Sequence, residues 1–389
     1  MSVNLNLAEK TLCSARKKDY AGYSKFDALN SPFLSSISLD NKWLRLLLVQ
    51  LVNRSPWHLR PLLGVKKSRN PKGIALFIRA YLHLFVLTGN PFFLEEAQTL
   101  LAWLLDNKSP GRRNFCWGYN FLWQSTLFVQ ERGEPNAVVT TFVGEALLHA
   151  YRVTGKNEYL DAARSVADFI LTDLPVLHEE ENERAIAYVP GNVRSVVLNN
   201  QVLTGAFLVK VWKHTGEKEL LHTATRQINY TVKRKTDYHA WYYTYPAEKS
   251  AIIHDNYHTG GILDGLLEYQ EETRDNRYSD SYWKGLDYYQ NNLFEIDGAP
   301  RWMNNRRYPY DAHGAAQGII SFAKAGKHEK RYLEMAEKIA HWSHKNLYRE
   351  ETGDFIYRIG KNKRWNYSLM RWCNAWMARA LGELVLRQE

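Results

Sequence analysis

The stretch "HDNYH", residues 254 to 258, places two imidazoles, a carboxylate and a carboxamide in five positions, just ahead of the apolar run "TGGILDGLLEY". A second stretch, "YPYDAHGAAQ", repeats the pattern with Asp311 and His313 before a Gly- and Ala-rich segment. Asp255 and Asp311 stand where helix N-caps belong, and each could accept from the free N–H groups of the helix that follows. Two carboxylates on neighbouring helices also suit glycosidic-bond hydrolysis. One would be held protonated as general acid while the other activates water or attacks carbon. His258 and His313 support a second chemistry. An imidazole beside a sugar C–H moves a proton, assisted by Tyr242, Tyr243, Tyr308 or Tyr310, while Arg358 or Arg371 neutralises a uronate carboxylate. That would be epimerisation or elimination. A third reading is a glycan-binding or assembly protein that turns nothing over. His254 and His258 are four apart, as in a zinc pair, but the glutamate of an HExxH helix is absent. Neither a metal nor a cofactor is expected.

Aromatic residues make up 13% of the chain, with 13 Trp and 24 Tyr, enough for stacking platforms as well as a core. Trp117, Tyr119 and Trp123 lie in "NFCWGYNFLWQS", and Trp241 and Tyr242 in "HAWYYTYPAEKSAIIHDN". These are the candidate platforms for sugar rings, with Asn256 beside Asp255 as a hydrogen-bonding neighbour. Trp372 and Trp376, four apart, are expected in the core. Glu145 and Asp264 fall deeper in apolar helices, where each should pair with an arginine or line the floor of a funnel.

Such a site needs elements to hold it, and an internal repeat supplies them. "AYLHLFVLTGNPFFLEEAQTLLAWL", "ALLHAYRVTGKNEYLDAARSVADFI" and "FLVKVWKHTGEKELLHTATRQINYT" each end one apolar helix, turn at Thr-Gly and open a second. Weaker copies follow. The turn marks are Gly89, Gly155, Gly216, Arg274 and Gly326, where glycine accepts the left-handed conformation that ends a helix. First helices are apolar on more than one face and second helices are amphipathic, which assigns them to an inner and an outer ring. Six first helices with five partners predict an all-α fold, an (α/α)6 toroid forming a single domain over residues 1–389. Residues 1–39 would be an N-terminal extension and helix 41–53 would close the ring. An open solenoid is the alternative. In the closed form the long connections, "AIAYVPGNVRS" among them, gather on one face as short aromatic hairpins or loops. There the inner-helix N-termini present partial positive charge to a ligand.

A net charge of +10, without any dominant basic run, fits an oligo- or polysaccharide partner that carries acid groups better than it fits nucleic acid. Cys13, Cys116 and Cys373 lack CxxC spacing, as in a reducing compartment. No signal-peptide core is visible, and stretches such as "IALFIRAYLHLFVL" are too short or too charged to span a bilayer. A cytoplasmic protein without stable membrane insertion is expected. The oligomeric state is open.

In order, "YSKFDALNSP", "CWGYNFLWQ", "HDNYHTGGILDGL", "YPYDAHGAAQGI" and "MRWCNAWMARAL" resemble a bacterial and archaeal family associated with polysaccharide biosynthesis. It is named after VpsJ of a Vibrio biofilm cluster and often carries a delta-aminolevulinic acid dehydratase label. The resemblance spans Tyr23 to Leu381. It implies the six-hairpin glycosidase-like superfamily and a setting in exopolysaccharide, capsule or lipopolysaccharide assembly. It does not choose the mechanism, because that superfamily includes hydrolases, lyases and epimerases. Nothing here resembles the dehydratase's barrel, paired lysines or zinc cysteines. The motif positions it carries over are Asp27, Asn30, Trp117, Tyr119, Asp255, Asn256, His258, Thr259, Asp311, His313, Arg371 and Trp372. The chain departs from the motif at Leu122, where a polar residue is expected. The leading expectation is a glycoside hydrolase-like enzyme using the paired carboxylates on a surface polysaccharide or its precursor. A uronate or sugar epimerase, or a lyase, is the alternative.

Overall fold

The repeated Thr-Gly turns do end helices. Gly89, Gly155 and Gly216 adopt φ of 66°, 70° and 74°, and each returns its N–H to the carbonyl four residues back. Arg274 takes the same left-handed conformation, φ 62°, with a side chain in place of glycine. Gly326 is different. Its φ is −58°, and glycine is needed there for space, since a Cβ would lie 2.8 Å from the Leu333 Cβ.

The computed structural model describes residues 3–126, 128–191 and 195–388. Residues 192–194 of the "AIAYVPGNVRS" connection lie outside the described residues. The helices in chain order are α1 (Val3–Lys17), α2 (Pro32–Ile37), α3 (Lys42–Arg54), α4 (Pro71–Thr88), α5 (Pro91–Asp106), α6 (Ala137–Thr154) and α7 (Asn157–Asp168). They continue with α8 (Leu198–Thr215), α9 (Lys218–Val232), α10 (Asn256–Thr273), α11 (Ser279–Leu293), α12 (Ala312–Ala325), α13 (Lys330–Leu347) and α14 (Trp376–Gln388). One π-type turn, Met370–Ala375, leads into α14.

The inner ring is α4, α6, α8, α10, α12 and α14. Each packs on the next, and α14 packs back on α4, so the ring is closed and the solenoid alternative falls. Five inner helices carry an outer partner: α5, α7, α9, α11 and α13. Binary pattern accounts for the division. Every residue of α12 is buried, whereas α13 buries only a stripe including Tyr332, Met335, Ile339 and Trp342. Close approach between inner helices depends on small residues. A Cβ on Gly265 of α10 would sit 2.5 Å from Val202 Cγ1 of α8.

The sixth outer position is taken by α1, not by helix 41–53. Leu7, Ala8, Leu12 and Ala15 are buried, and α1 packs on α14. Its polar side bridges to both neighbours, with Arg16 Nε 2.8 Å from Glu96 of α5 and Lys10 Nζ 3.0 Å from Glu350. Helix α3 instead lies across the loop face. Its Val49 and Val52 pack with Ala28, Leu29 and Leu34, and Leu122 joins this cluster, so the position where the motif expects a polar residue is part of a small core.

Helix α4 is long and apolar enough to cross a membrane, contrary to the expectation from its sequence, but it is an inner helix with 72% of that window buried. The connections on the loop face form short antiparallel pairs. Trp123–Gln124 pairs with Val129–Gln130, and Tyr310–Asp311 pairs with Arg358–Ile359.

Candidate active site in the bore of the ring

Four inner helices open on the loop face with side-chain caps. Asn70, Asn136, Asp255 and Asp311 accept from the first-turn N–H groups of α4, α6, α10 and α12. First-turn residues and the preceding connections therefore ring the mouth of the bore. A cavity of about 340 Å³ runs inward from it. Tyr119, Trp123, Tyr188, Tyr243 and Tyr257 form aromatic walls, and Lys72, His258, His313, Arg371, Trp372 and Trp376 also line it. Leu46 and Gln50 of α3 reach its edge.

Deeper in, the inner helices carry a belt of alternating charge. Arg79 lies 3.5 Å from Glu145, and Lys210 bridges Glu145 and Glu268 at 2.7 Å each. Lys324 joins Glu268 at 2.6 Å to Asp264 at 3.2 Å, and Arg379 holds Glu383 at 2.6 Å. Glu145 and Asp264 both line the floor, and Glu145 has the expected arginine partner, whereas Asp264 pairs with Lys324 instead. Opposite charges around Glu268 hold its carboxyl well below the ordinary range despite burial, and the adjoining carboxylates hold Lys324 up.

The two capping aspartates face their own helices rather than the cavity. Asp255 Oδ1 accepts from the His258 backbone N–H at 3.0 Å, and its Oδ2 accepts from His258 Nδ1 at 2.8 Å. The second bond fixes the ring tautomer. Nδ1 carries the proton, and Nε2 keeps a lone pair with no protein partner among the described residues. Asp311 Oδ1 accepts from the His313 N–H at 2.9 Å and from Trp372 Nε1 at 2.7 Å. Its Oδ2 is buried without a hydrogen-bond partner among the described residues, and burial raises the carboxyl pKa against the pull of Lys25 and Arg358. Neither carboxylate lines the cavity. The funnel-facing acid pair expected from the sequence is therefore not formed, because both side chains turn back onto helix N–H groups.

The imidazoles do face inward. The His313 ring lies parallel to Tyr257, with centroids 4.6 Å apart and 9° between planes, and against Trp376 at 4.2 Å. Both of its nitrogens are buried without a hydrogen-bond partner among the described residues. Burial, followed by the charges of Lys72 and Arg371, holds its pKa far below the usual imidazole range, so the ring is neutral. Tyr257 also touches His258 at 4.5 Å, and Tyr243 lies 4.3 Å from His258.

Of the other expected site residues, Tyr119, Trp123 and Arg371 line the cavity. The rest build its supports. Trp117 and Trp241 are fully buried and donate Nε1 to the carbonyls of Leu104 at 2.8 Å and Thr231 at 3.0 Å, so they are packing rather than platforms. Tyr242 packs on His254 at 4.9 Å and Tyr308 on Tyr310 at 4.9 Å, both off the cavity. Asn256 donates to the carbonyls of Leu293 at 3.1 Å and Arg301 at 2.5 Å, tying α10 to the next connection. Arg358 donates to the Asn53 carbonyl and lies 4.3 Å over Trp365. Asp27 accepts from Arg60 Nε at 2.6 Å and Asn30 donates to the Asn120 carbonyl at 3.1 Å, which anchors the N-terminal segment. Trp372 and Trp376, read as core, also form cavity wall.

Tyr243, expected as a proton-transfer partner, lines the cavity beside His258, whereas Lys72, Tyr188 and Tyr257 are not marked by the sequence. For Lys72 a signal existed: a cation in the first turn of an apolar inner helix opposes the helix dipole. Among the described residues no group of three or more His, Cys, Asp or Glu is arranged to hold a metal.

Comparison with known proteins fits this architecture. Residues 141–285 match the model of the β-L-arabinofuranosidase GH127 catalytic domain. No curated protein sequence matches the chain. Among solved structures, cellobiose 2-epimerase from Bacillus thermoamylovorans superposes with a TM-score of 0.65 at 13% identity, covering 84% of this chain and 90% of that one. A GH76 α-mannanase from Bacteroides thetaiotaomicron gives 0.63 at 16% identity over 83% and 87%. An unsaturated glucuronyl hydrolase specific for heparin gives 0.62 at 15% identity over 83% and 87%. What the chain shares with these structures is the fold: it is an (α/α)6 ring of the six-hairpin glycosidase-like type.

Proposed function

We propose that the chain is a carbohydrate-active enzyme that moves a proton at a sugar carbon, as an epimerase or isomerase serving surface-polysaccharide assembly. The observation that carries this reading is the orientation of His258 and His313. Both imidazoles line an aromatic-walled cavity, His258 with Nε2 and His313 with both ring nitrogens free of protein hydrogen bonds among the described residues, whereas Asp255 and Asp311 are turned away. In the proposed step, His258 Nε2 takes the proton from a carbon next to the open-chain carbonyl. The C–H electron pair moves into an enediolate, and its negative oxygen accepts a hydrogen bond from the neutral His313 ring. The imidazolium formed at His258 is stabilised by Asp255 behind it. Return of the proton to the neighbouring carbon, with the enediolate's hydroxyl proton passing to the other oxygen, completes an isomerisation; delivery to the opposite face of the same carbon completes an epimerisation. The polysaccharide setting rests on the motif resemblance, and the saccharide class on the fold and the aromatic walls.

Hydrolysis is the second reading, favoured by the GH127 match over residues 141–285. It needs a protonated carboxyl in the cavity. Asp264 is the cavity-lining carboxyl that burial pushes upward, yet it accepts from Ser321 at 2.7 Å, Gln317 at 3.1 Å and Lys324 at 3.2 Å.

The two readings separate in deuterated water. Hexoses, uronates and oligosaccharides of the producing organism's surface glycan are incubated with the enzyme and followed by NMR and mass spectrometry. Deuterium entering at a carbon adjacent to the carbonyl, abolished by His258→Gln, is the expected result. New reducing ends without deuterium would replace proton transfer by hydrolysis.

A further inference from the structure

The bore has two electrostatic zones. On the floor every cation has a carboxylate partner, as the belt from Arg79 to Lys324 illustrates. Around the histidines this pairing stops. Lys72 is 7% exposed and makes no hydrogen bond or ion pair among the described residues. Its amine rests 3.9 Å from the centroid of Phe142 and 5.2 Å from that of Trp376. Arg371 is 3% exposed, and its one hydrogen bond among the described residues is from Nε to Ser24 Oγ at 3.3 Å. Both line the cavity. Their helices touch: a Cβ on Gly73, next to Lys72, would lie 3.3 Å from the Arg371 Cβ.

An amine and a guanidinium buried in one cavity, neither with an ion-pair partner among the described residues, have lost water, a costly arrangement unless an anion joins them. The structure supplies none to Lys72. Its pKa is driven well down by burial and then by the Arg371 charge, with no carboxylate opposing. The nearby Asp311 and Asp255 act on Lys25, whose amine lies 3.9 Å from the centroid of Trp372 and which does not line the cavity. The first turn of α4, capped by the neutral Asn70, adds its own positive end to the same region.

We propose that Lys72 and Arg371 form an oxyanion subsite, so that the sugar handled here carries a carboxylate or a phosphate that docks between them. This rests on the sugar-processing reading for what the rest of the ligand is, but not for the anion itself. Arginine suits a planar two-oxygen contact, and the lysine adds a point charge. The subsite adjoins His313, whose pKa responds to both cations, so a docked anion sits within electrostatic reach of the reacting carbon.

Calorimetric titration of the full chain with inorganic phosphate, glucuronate, glucose 6-phosphate and glucose tests this. Saturable binding of at least one oxyanion is expected, with the charged sugar about tenfold or more tighter than glucose. Lys72→Met should remove that advantage while leaving glucose binding within about twofold. The ranking of glucuronate against glucose 6-phosphate tells carboxylate from phosphate. Because Lys72→Met deletes a buried amine that has no ion-pair partner among the described residues, its melting temperature should equal or exceed that of the wild type. Oxyanion should raise the melting temperature of the wild type alone. Wild-type protein that binds no oxyanion up to about 10 mM, or an advantage that survives Lys72→Met, overturns the subsite. Glucose binding as tightly as glucuronate also overturns it and leaves the sugar reading standing. Loss of neutral-sugar turnover in Lys72→Met without any oxyanion binding would instead assign the amine to transient charge, and would sink the subsite too.

Discussion

Replacing Asp255 by Asn separates its structural task from its chemical one. As a cap it needs one acceptor oxygen for the His258 N–H, 3.0 Å away, and a carboxamide oxygen supplies that. Stability should therefore change by less than about 0.5 kcal/mol, whereas Asp255→Ala loses the cap and about 1 kcal/mol. The chemical task is the 2.8 Å bond from His258 Nδ1–H to Oδ2. An Asn side chain can turn its N–H₂ toward Nδ1, which makes Nδ1 the acceptor and moves the ring proton to Nε2, where a base needs its lone pair. It also removes the charge that stabilises the imidazolium. Loss of tautomer and counter-charge together is worth about 10²–10⁴ in rate, or about 3–5 kcal/mol of barrier. The assay is the rate of solvent-deuterium incorporation into sugar, run beside urea denaturation of the same samples. Asp255→Asn should unfold like the wild type and turn over at least a hundredfold more slowly. Near-normal turnover, or a rate loss that simply follows the stability loss from Asn to Ala, would refute the assignment of Asp255 to the histidine.

Two further perturbations probe the ring that carries the site. Burial and the Arg379 charge lower the pKa of His83 from 6.5 to about 3. The unfolded chain therefore binds a proton that the folded chain refuses, and stability falls as pH drops from about 6.5 toward 3; the term is about 2 kcal/mol at about pH 5. Denaturation of His83→Leu at about pH 7 and pH 5 should show a pH dependence smaller by about that amount, and an unchanged slope would contradict the burial argument. Lys210→Met should cost about 2–3 kcal/mol, less than for a fully orphaned charge, because Glu145 keeps Arg79 and Glu268 keeps Lys324. Adding Glu268→Gln should recover part of that loss in a double-mutant cycle, and a loss below about 0.5 kcal/mol would mean that the belt does not hold the ring.

The ring was legible because its cause is periodic. Apolar inner helices, amphipathic outer ones and Thr-Gly turns are local patterns that recur along the chain, and closure follows from counting them. The helix that completes the ring was not legible. "NKWLRLLLVQLV" is the more apolar of the two candidates, yet α1 takes the place. Ala8 and Ala15 let α1 lie close on α14, and Arg16 and Lys10 meet carboxylates on either side. Shape and charge at a distant surface decide that choice, and neither is written in the helix's own pattern. Lys72 was missed for a related reason: its significance is the absence of a partner, which only the assembled bore reveals.

That both histidines would lie at the loop face of the ring could be read from the sequence; the direction of the aspartates could not. Yet the spacing within each motif holds more than its residue types suggest. In Asp255–Asn–Tyr–His258 the histidine is three residues past the cap, so its backbone N–H and its ring Nδ1 both reach the same carboxylate. In Asp311–Ala–His313 it is two residues past. The backbone N–H still reaches Oδ1, but the ring swings off between Tyr257 and Trp376 and bonds to nothing in the protein among the described residues. One residue of spacing thus turns two similar-looking motifs into two different imidazoles. His258 is backed by a carboxylate and carries a free Nε2, as a base requires; His313 is neutral and buried, free to donate to an oxygen that gains charge. If that reasoning holds, inserting one residue between Ala312 and His313 would not simply break the helix start; it would draw the second ring back to its cap and leave the cavity with one working imidazole.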